Sequence, residues 1–294
     1  ADLPGWVRQW EIVDLNGDGL SDIAFAGNKE DGRSGSDSQK LAVPAAVLIS
    51  GTQYSVVELN GENWHHAVGA SPAVGSKPAL SLFSGYANPD YAFSFLGDVA
   101  VREELPRNLS GGNIEYLSHL SSQNSNKSFF FSDLRSSAND GFSAPGLVVR
   151  DASGNWSSIE GNLPFDITDS KTVTQTSWMG GTSNIQFFKY GNDYIQSSTY
   201  TDALEINLFP FSDPLLVAKY ASSRLNDINA TEVTEGVGTT VNQYYHFFEV
   251  SENAINIREV NIENLAEDVN ANFFQVFDFN NDGYDDLIEN TYKN

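Results

Sequence analysis

Asp14-Leu15-Asn16-Gly17-Asp18-Gly19-Leu20-Ser21-Asp22 recurs near the other end of the chain as Asp278-Phe279-Asn280-Asn281-Asp282-Gly283-Tyr284-Asp285-Asp286. Both stretches have the form D-x-N-x-D-G-x-x-D. Oxygen-bearing side chains at the first, third and fifth positions, with glycine at the sixth, suit a hard cation held in a tight loop. Calcium takes six to eight oxygens at relaxed distances, and the glycine permits the sharp turn that gathers them. The expected ligands in the first loop are Asp14, Asn16, Asp18 and Asp22 through side chains and Leu20 through its carbonyl. In the second loop they are Asp278, Asn280, Asp282 and Asp286, with the carbonyl of Tyr284. An acidic surface turn without an ion is the plain alternative, since Asn-Gly and Asp-Gly form turns readily. Duplication favours the ion, as does the mutual repulsion of three carboxylates within nine residues.

The flanks decide what kind of calcium loop this is. The second stretch carries Glu289 at the twelfth position, as an EF-hand does, and Phe273 to Phe277 could pass for an incoming helix. The first has Phe25 at that position, and its flanks, Trp6 to Val13 and Ile23 to Ala26, are short and rich in β-branched and aromatic residues. They read as strands. A calcium loop joining two strands, with an aspartate at the ninth position leading into the second, resembles the FG-GAP (VCBS) repeat of integrin-like β-propellers. The resemblance covers about thirty residues in the two terminal loops. It implies an all-β propeller of four-stranded blades, two bound calcium ions, and a role in adhesion or ligand binding.

A blade-like cadence continues between the loops. Ala42 to Ser50 and Gln53 to Leu59 complete a first blade. Ala79 to Ser84, Tyr91 to Leu96 and Val99 to Leu105 form a second, and Asn113 to Leu120, Phe129 to Phe131 and Pro145 to Arg150 begin a third. Val173 to Trp178, Asn184 to Tyr190 and Tyr194 to Tyr200 read as a fourth. Glu205 to Phe209 with Leu215 to Tyr220 reads as a fifth, and Tyr244 to Val250 with Ala254 to Val260 as part of a sixth. The 264 residues from Asp14 to Asp278 divide into six steps of 44, a normal blade period, which favours seven blades over six. The expectation is one propeller domain over residues 1–294, with the two calcium loops in adjoining first and last blades.

Bulk composition narrows the function. The 294 residues carry 39 acids against 16 bases, a net charge of −23. Such a surface repels nucleic acid and anionic membranes. No run reaches the eighteen apolar residues of a membrane span. With no cysteine there is no disulfide or thiol chemistry, and calcium would supply the cross-links. Loop calcium of ordinary affinity needs the millimolar calcium found outside cells, so the expected location is secreted or cell-surface, within a larger surface protein or alone. The chain opens with Ala1, which fits a mature or trimmed product.

Candidate chemistry is sparse. No GxSxG, HExxH, P-loop or paired-cysteine pattern occurs. Acidic pairs such as Glu103-Glu104 are expected by chance among 39 acids. Histidine with tyrosine can act as acid and base in a polysaccharide lyase, which points to Trp64-His65-His66 and to Tyr245-His246. Adjacent His65 and His66 in a strand face opposite ways, so only one of the two can enter a site. Exposed aromatics offer flat apolar faces to sugar rings or peptide side chains, and Trp178, beside Gly180 and Gly181, is the leading example. The candidate ligand-binding residues are therefore Trp64, His65, Trp178, Tyr245 and His246, with no catalytic residue assigned. The favoured function is a calcium-stabilised module that recognises a glycan or protein partner. A propeller-fold lyase or glycoside hydrolase acting on an extracellular polysaccharide is the alternative.

Overall fold

The computed structural model describes residues 6–28, 45–59, 67–74, 77–84, 91–103, 105, 117–121, 126–135, 143–163, 169–211, 213–260 and 271–291. Those residues are all-β, without a helix. They gather into two compact units. The first comprises Ala1–Arg135, Gly146–Glu160 and Ser251–Asn253; the second comprises Ser136–Pro145, Gly161–Val250 and Ala254–Asn294.

The first unit holds three sheets of four strands in simple sequential order. Strands β1 (Trp6–Val13), β2 (Asp22–Asn28), β3 (Ala45–Ser50) and β4 (Gln53–Glu58) form one antiparallel meander. Strands β5 (Ala67–Ser71), β6 (Ala79–Ser84), β7 (Tyr91–Leu96) and β8 (Val99–Glu103) form the next. Strands β9 (Leu117–Leu120), β10 (Ser128–Arg135), β11 (Ser143–Arg150) and β12 (Trp156–Glu160) form the third. The first strands of successive sheets are neighbours, β1 against β5 and β5 against β9.

Burial explains this order. Ala24, Ala26, Ala46, Val68 and Ala79 are small enough to let the first two sheets approach, and Phe83, Phe93 and Phe95 fill the space between them. Each phenyl ring buried this way contributes roughly 1.5–3 kcal/mol. Strand β7 is buried on both faces through Phe95, whereas the edge strand β8 is mostly exposed. The fourth strand thus faces water while its sheet is stacked. Four-stranded antiparallel meanders of this kind fit propeller blades.

In the second unit the blade reading of the sequence does not hold. The strands expected to make fourth, fifth and sixth blades lie in one seven-stranded sheet, ordered β17-β13-β14-β15-β16-β18-β19. These are β13 (Ser170–Thr176), β14 (Thr182–Tyr190), β15 (Asp193–Ile206), β16 (Leu215–Leu225), β17 (Glu232–Thr234), β18 (Thr239–Ser251) and β19 (Ala254–Arg258). The sequence pattern ends one strand at Tyr200 and opens the next at Glu205, whereas the structure carries β15 across this stretch for 14 residues, with an irregularity between Thr201 and Ala203. A bulge takes up one extra residue without ending the strand. β16 then pairs along its whole length with β15 on one side and β18 on the other.

The remaining two strands, β20 (Ala271–Phe277) and β21 (Asp286–Thr291), form a separate hairpin. Both flanks of the second acidic loop are therefore strands, and Glu289 pairs opposite Phe274 inside the hairpin. The EF-hand alternative is thereby removed. Phe274 packs with Ile206, Leu215, Val217, Tyr245 and Phe247, which ties the hairpin to the large sheet.

Candidate functional site

The two acidic loops share three of their internal hydrogen bonds and differ in which amide meets the other oxygen of the first aspartate. In the first, Asp14 accepts from the Gly17 and Gly19 amides at 2.7 and 2.9 Å. Asn16 Oδ1 accepts from the Asp18 amide at 3.1 Å, and Asp18 from the Leu20 amide at 2.9 Å. In the second, Asp278 accepts from the amides of Asp282 and Gly283, Asn280 from Asp282, and Asp282 from Tyr284. The fourth position is left-handed in both, at φ 79° in Gly17 and 60° in Asn281, and so is the sixth, at 86° in Gly19 and 90° in Gly283. Glycine and asparagine are the residues that tolerate this backbone. It folds positions one, three and five into a single turn.

The ninth position locks each loop to its strands. Asp22 is fully buried; Oδ2 accepts from Leu15 and Asn16 at 2.8 and 3.2 Å, and Oδ1 from the Ile49 amide of β3 at 2.7 Å. Asp286 accepts the matching pair, from Phe279 and Asn280. The copies differ at the second position, where Leu15 is buried in the core and Phe279 is 76% exposed. Asp285 anchors the second loop another way, accepting from the backbone and side-chain nitrogens of Asn207 at 2.7 and 3.0 Å.

The donor set is all oxygen, which fits a hard cation by its chemistry. Among the described residues, no three acidic or histidine side chains are gathered as a ready metal cluster. The carboxylates of Asp14, Asp18, Asp278 and Asp282 are turned onto loop amides instead. One acid near the first loop was not legible in the sequence. Asp98, in the turn between β7 and β8, accepts from Asn16 Nδ2 at 3.0 Å. It arrives from the neighbouring sheet, and no spacing rule connects it to Asp14.

The hairpin Asp151 to Trp156, which has partial calcium spacing, is a plain turn. Asp151 accepts from the amides of Ser153 and Asn155 and from the Asn155 side chain, and these bonds hold its carboxyl below the usual range.

Of the candidate ligand-binding residues, Trp64 and His65 lie outside the described residues. Trp178 is 76% exposed in the tight turn between β13 and β14, beside the still more exposed Met179. Its indole lies near Gly236. Tyr245 and His246 project from opposite faces of β18. Tyr245 is buried edge-on against Phe274. His246 is buried among tyrosines: Nε2 lies 2.8 Å from Tyr190 Oη, Nδ1 lies 2.9 Å from Tyr200 Oη, and the ring stacks on Tyr220 at 4.5 Å. Burial holds the imidazole down to about 4, so it is neutral at pH 7 and donates through one nitrogen while accepting through the other. Burial, reinforced by Tyr244, pushes Tyr190 up to about 12, and burial raises Tyr200 and Tyr220 further. The hydroxyls of Ser198, Tyr220 and Ser222 are buried nearby without a well-formed hydrogen bond, although Ser198 stands close enough to Tyr220 to act on its phenol.

No protein-family model matches the sequence, and no curated protein matches it. Among solved structures the chain is similar to the Cellvibrio cellulosa α-L-arabinanase complexed with arabinohexaose, at a TM-score of 0.33 and 9% identity, over 84% of this chain and 76% of that one.

Proposed function

We propose that this chain is a calcium-stabilised recognition module of the β-propeller type, working outside the cell and binding a glycan or a protein partner. The observation that carries the calcium reading is the common conformation of two loops that lie 264 residues apart and share their oxygen-bearing positions. Calcium would be held by Asp14, Asn16, Asp18 and the Leu20 carbonyl in one loop, with Asp22 behind them. In the other it would be held by Asp278, Asn280, Asp282 and the Tyr284 carbonyl, with Asp286 behind. Bound there, the ion supplies positive charge to clustered carboxylates and staples two strands. The exposed Trp178 and Met179 offer an apolar shelf for the partner. The three four-stranded sheets of the first unit are its blades in this proposal.

The test is a glycan array run with and without calcium, beside calorimetric titration of calcium into chelator-treated protein. Calcium-dependent array hits and two bound ions support the reading. Absence of calcium binding sinks it.

A second reading, a polysaccharide lyase or hydrolase, draws on the meeting of His246 with Tyr190 and Tyr200. Against it stand the burial of the imidazole and phenols that hold their protons at any physiological pH. A lyase assay on acidic polysaccharides, read by absorbance of the unsaturated product, decides: turnover lost in His246→Ala would replace the recognition reading.

A further inference from the structure

The hairpin β20–β21 repeats β1–β2 in pairing register as well as in sequence. Val13 pairs with Asp22 as Phe277 pairs with Asp286, and Glu11 with Ala24 as Gln275 with Ile288. Each residue of one hairpin lies 264 positions from its counterpart. The copies differ in what covers them. In the first, Leu15 and Ala24 are buried in the core shared with the neighbouring sheet, and Val13 packs against it. Their counterparts Phe279, Ile288 and Phe277 are 76%, 42% and 63% exposed. The first copy also continues sideways, where Ile23, Ala24 and Phe25 pair with Val47, Ala46 and Ala45 of β3. Among the described residues, β21 has β20 on one side and no strand on the other.

The ninth loop position marks the same difference independently. Asp22 Oδ1 accepts the Ile49 amide of β3 at 2.7 Å. Asp286 keeps the two loop bonds through Oδ2, but its Oδ1 meets no donor among the described residues. That oxygen is not sealed in the interior. A strand laid along β21 in the register of β3 would bring it an amide.

Charge selects the strand. Residues 271–291 hold five acids, Asp278, Asp282, Asp285, Asp286 and Glu289, and no lysine or arginine. Edge strands are ordinarily guarded by lysine, proline or a bulge. β21 contains neither lysine nor proline, and its pairing with β20 is regular from Phe273 onward. Its acids repel a second copy of this chain, whose net charge is −23, and attract a basic strand.

We infer that β21 takes an added β-strand from a partner protein, an extended segment in which apolar and basic side chains alternate. Main-chain hydrogen bonds hold such a strand and its alternate side chains give specificity. Antiparallel pairing in the register of β3 sets an apolar side chain opposite Ile288, on the face shared with Phe277, and a basic one opposite Glu289. The amide three residues beyond the partner of Ile288 then donates to Asp286 Oδ1, as Ile49 does to Asp22. This inference rests on the recognition reading above and names a protein strand as the partner.

The test follows amide exchange in the full chain with saturating calcium, alone and with a capped heptapeptide that alternates lysine and valine. The β21 amides that do not bond β20 are expected to exchange freely in the protein alone and about tenfold more slowly with saturating peptide. A peptide with glutamate for each lysine should bind several-fold more weakly, and so should a lysine–valine peptide carrying a central proline, which keeps the charge but loses the pairing. Ile288→Lys should weaken binding several-fold and Ile288→Thr little, while Val99→Lys, on the exposed edge strand β8, should leave it unchanged. Protection of the β21 amides in the protein alone overturns the inference, because the edge is then filled already; the wild-type exchange pattern decides this without any variant. Equal binding of the proline peptide also overturns it, by reducing the attraction to net charge, as does equal weakening by Val99→Lys and Ile288→Lys. Self-association that Ile288→Lys abolishes overturns it in favour of a second copy. Glycan-array hits without peptide binding refute this edge and leave the recognition reading standing. Peptide protection of β21 in a protein that binds no calcium upholds the edge and sinks the calcium reading.

Discussion

Asn16 and Asp98 stand 82 residues apart in the chain, yet Asn16 Nδ2 donates to Asp98 Oδ1 at 3.0 Å. The contact brings the turn between the third and fourth strands of one sheet onto the acidic loop of the sheet before it. A carboxylate from the next sheet thus bonds the side chain of Asn16 in the first loop. The second loop is met by Asn207, an amide, instead.

The two loops should therefore differ in calcium affinity. Asp98→Asn is expected to weaken the first site several-fold and leave the second unchanged. Asp18→Ala and Asp282→Ala should each remove one site, and the double variant should lose all thermal response to calcium. At a hundredfold excess over Kd each ion adds about 2.7 kcal/mol to the native state. Melting curves in calcium and in EDTA, with calorimetric stoichiometry, check all three.

Asp22 should behave unlike Asp18. Its carboxylate satisfies three backbone amides from a fully buried position. Asp22→Ala is expected to cost about 3 kcal/mol or more even in EDTA, because it strands those amides, whereas Asp18→Ala should cost little once calcium is gone. Guanidinium unfolding of both variants in EDTA measures the contrast. Equal losses would show that Asp22 acts only through the ion.

A second brace links the second and third sheets of the first unit. Arg150 makes two bonds to Glu103, at 2.8 and 2.7 Å, and Trp156 Nε1 donates to the same carboxylate at 2.8 Å. Both ionic side chains are only 15% exposed. Removing one partner of such a pair leaves the other charge poorly solvated, so Glu103→Ala should destabilise by about 3 kcal/mol. Trp156 fluorescence should shift as its indole loses its acceptor, which locates the damage.

Glu11 sets a pH dependence. Burial on β1 pushes its carboxyl up to about 7. The folded value lies above the unfolded one, so the native state binds the extra proton between about 4.5 and 7, and stability falls as pH rises through that window. Glu11→Gln should stabilise the protein at pH 8 by up to about 3 kcal/mol, with the gain shrinking towards zero near pH 4.5. Urea unfolding of wild type and variant at both pH values provides the measurement.

The all-β class, the turn positions of both loops and the strand pairs of the first unit other than those made by β5 and β12 follow from the sequence. They depend on contacts within a dozen residues: alternating apolar positions, Asx turns, and glycine or asparagine where the backbone is left-handed. Asp14, Asn16 and Asp18 hold their places by those rules alone. Tertiary structure decided the rest. Whether β15 stops at Tyr200 or runs to Ile206 depends on the strands beside it, since β16 offers an unbroken edge that makes a bulge cheaper than a turn. Asp98 meets Asn16 from a separate sheet, and sequence spacing carries no information about which hairpins stack. His246 was legible as a residue of interest, but its role turns on burial. A neutral imidazole among Tyr190, Tyr200 and Tyr220 arises only when three strands place their rings on one face.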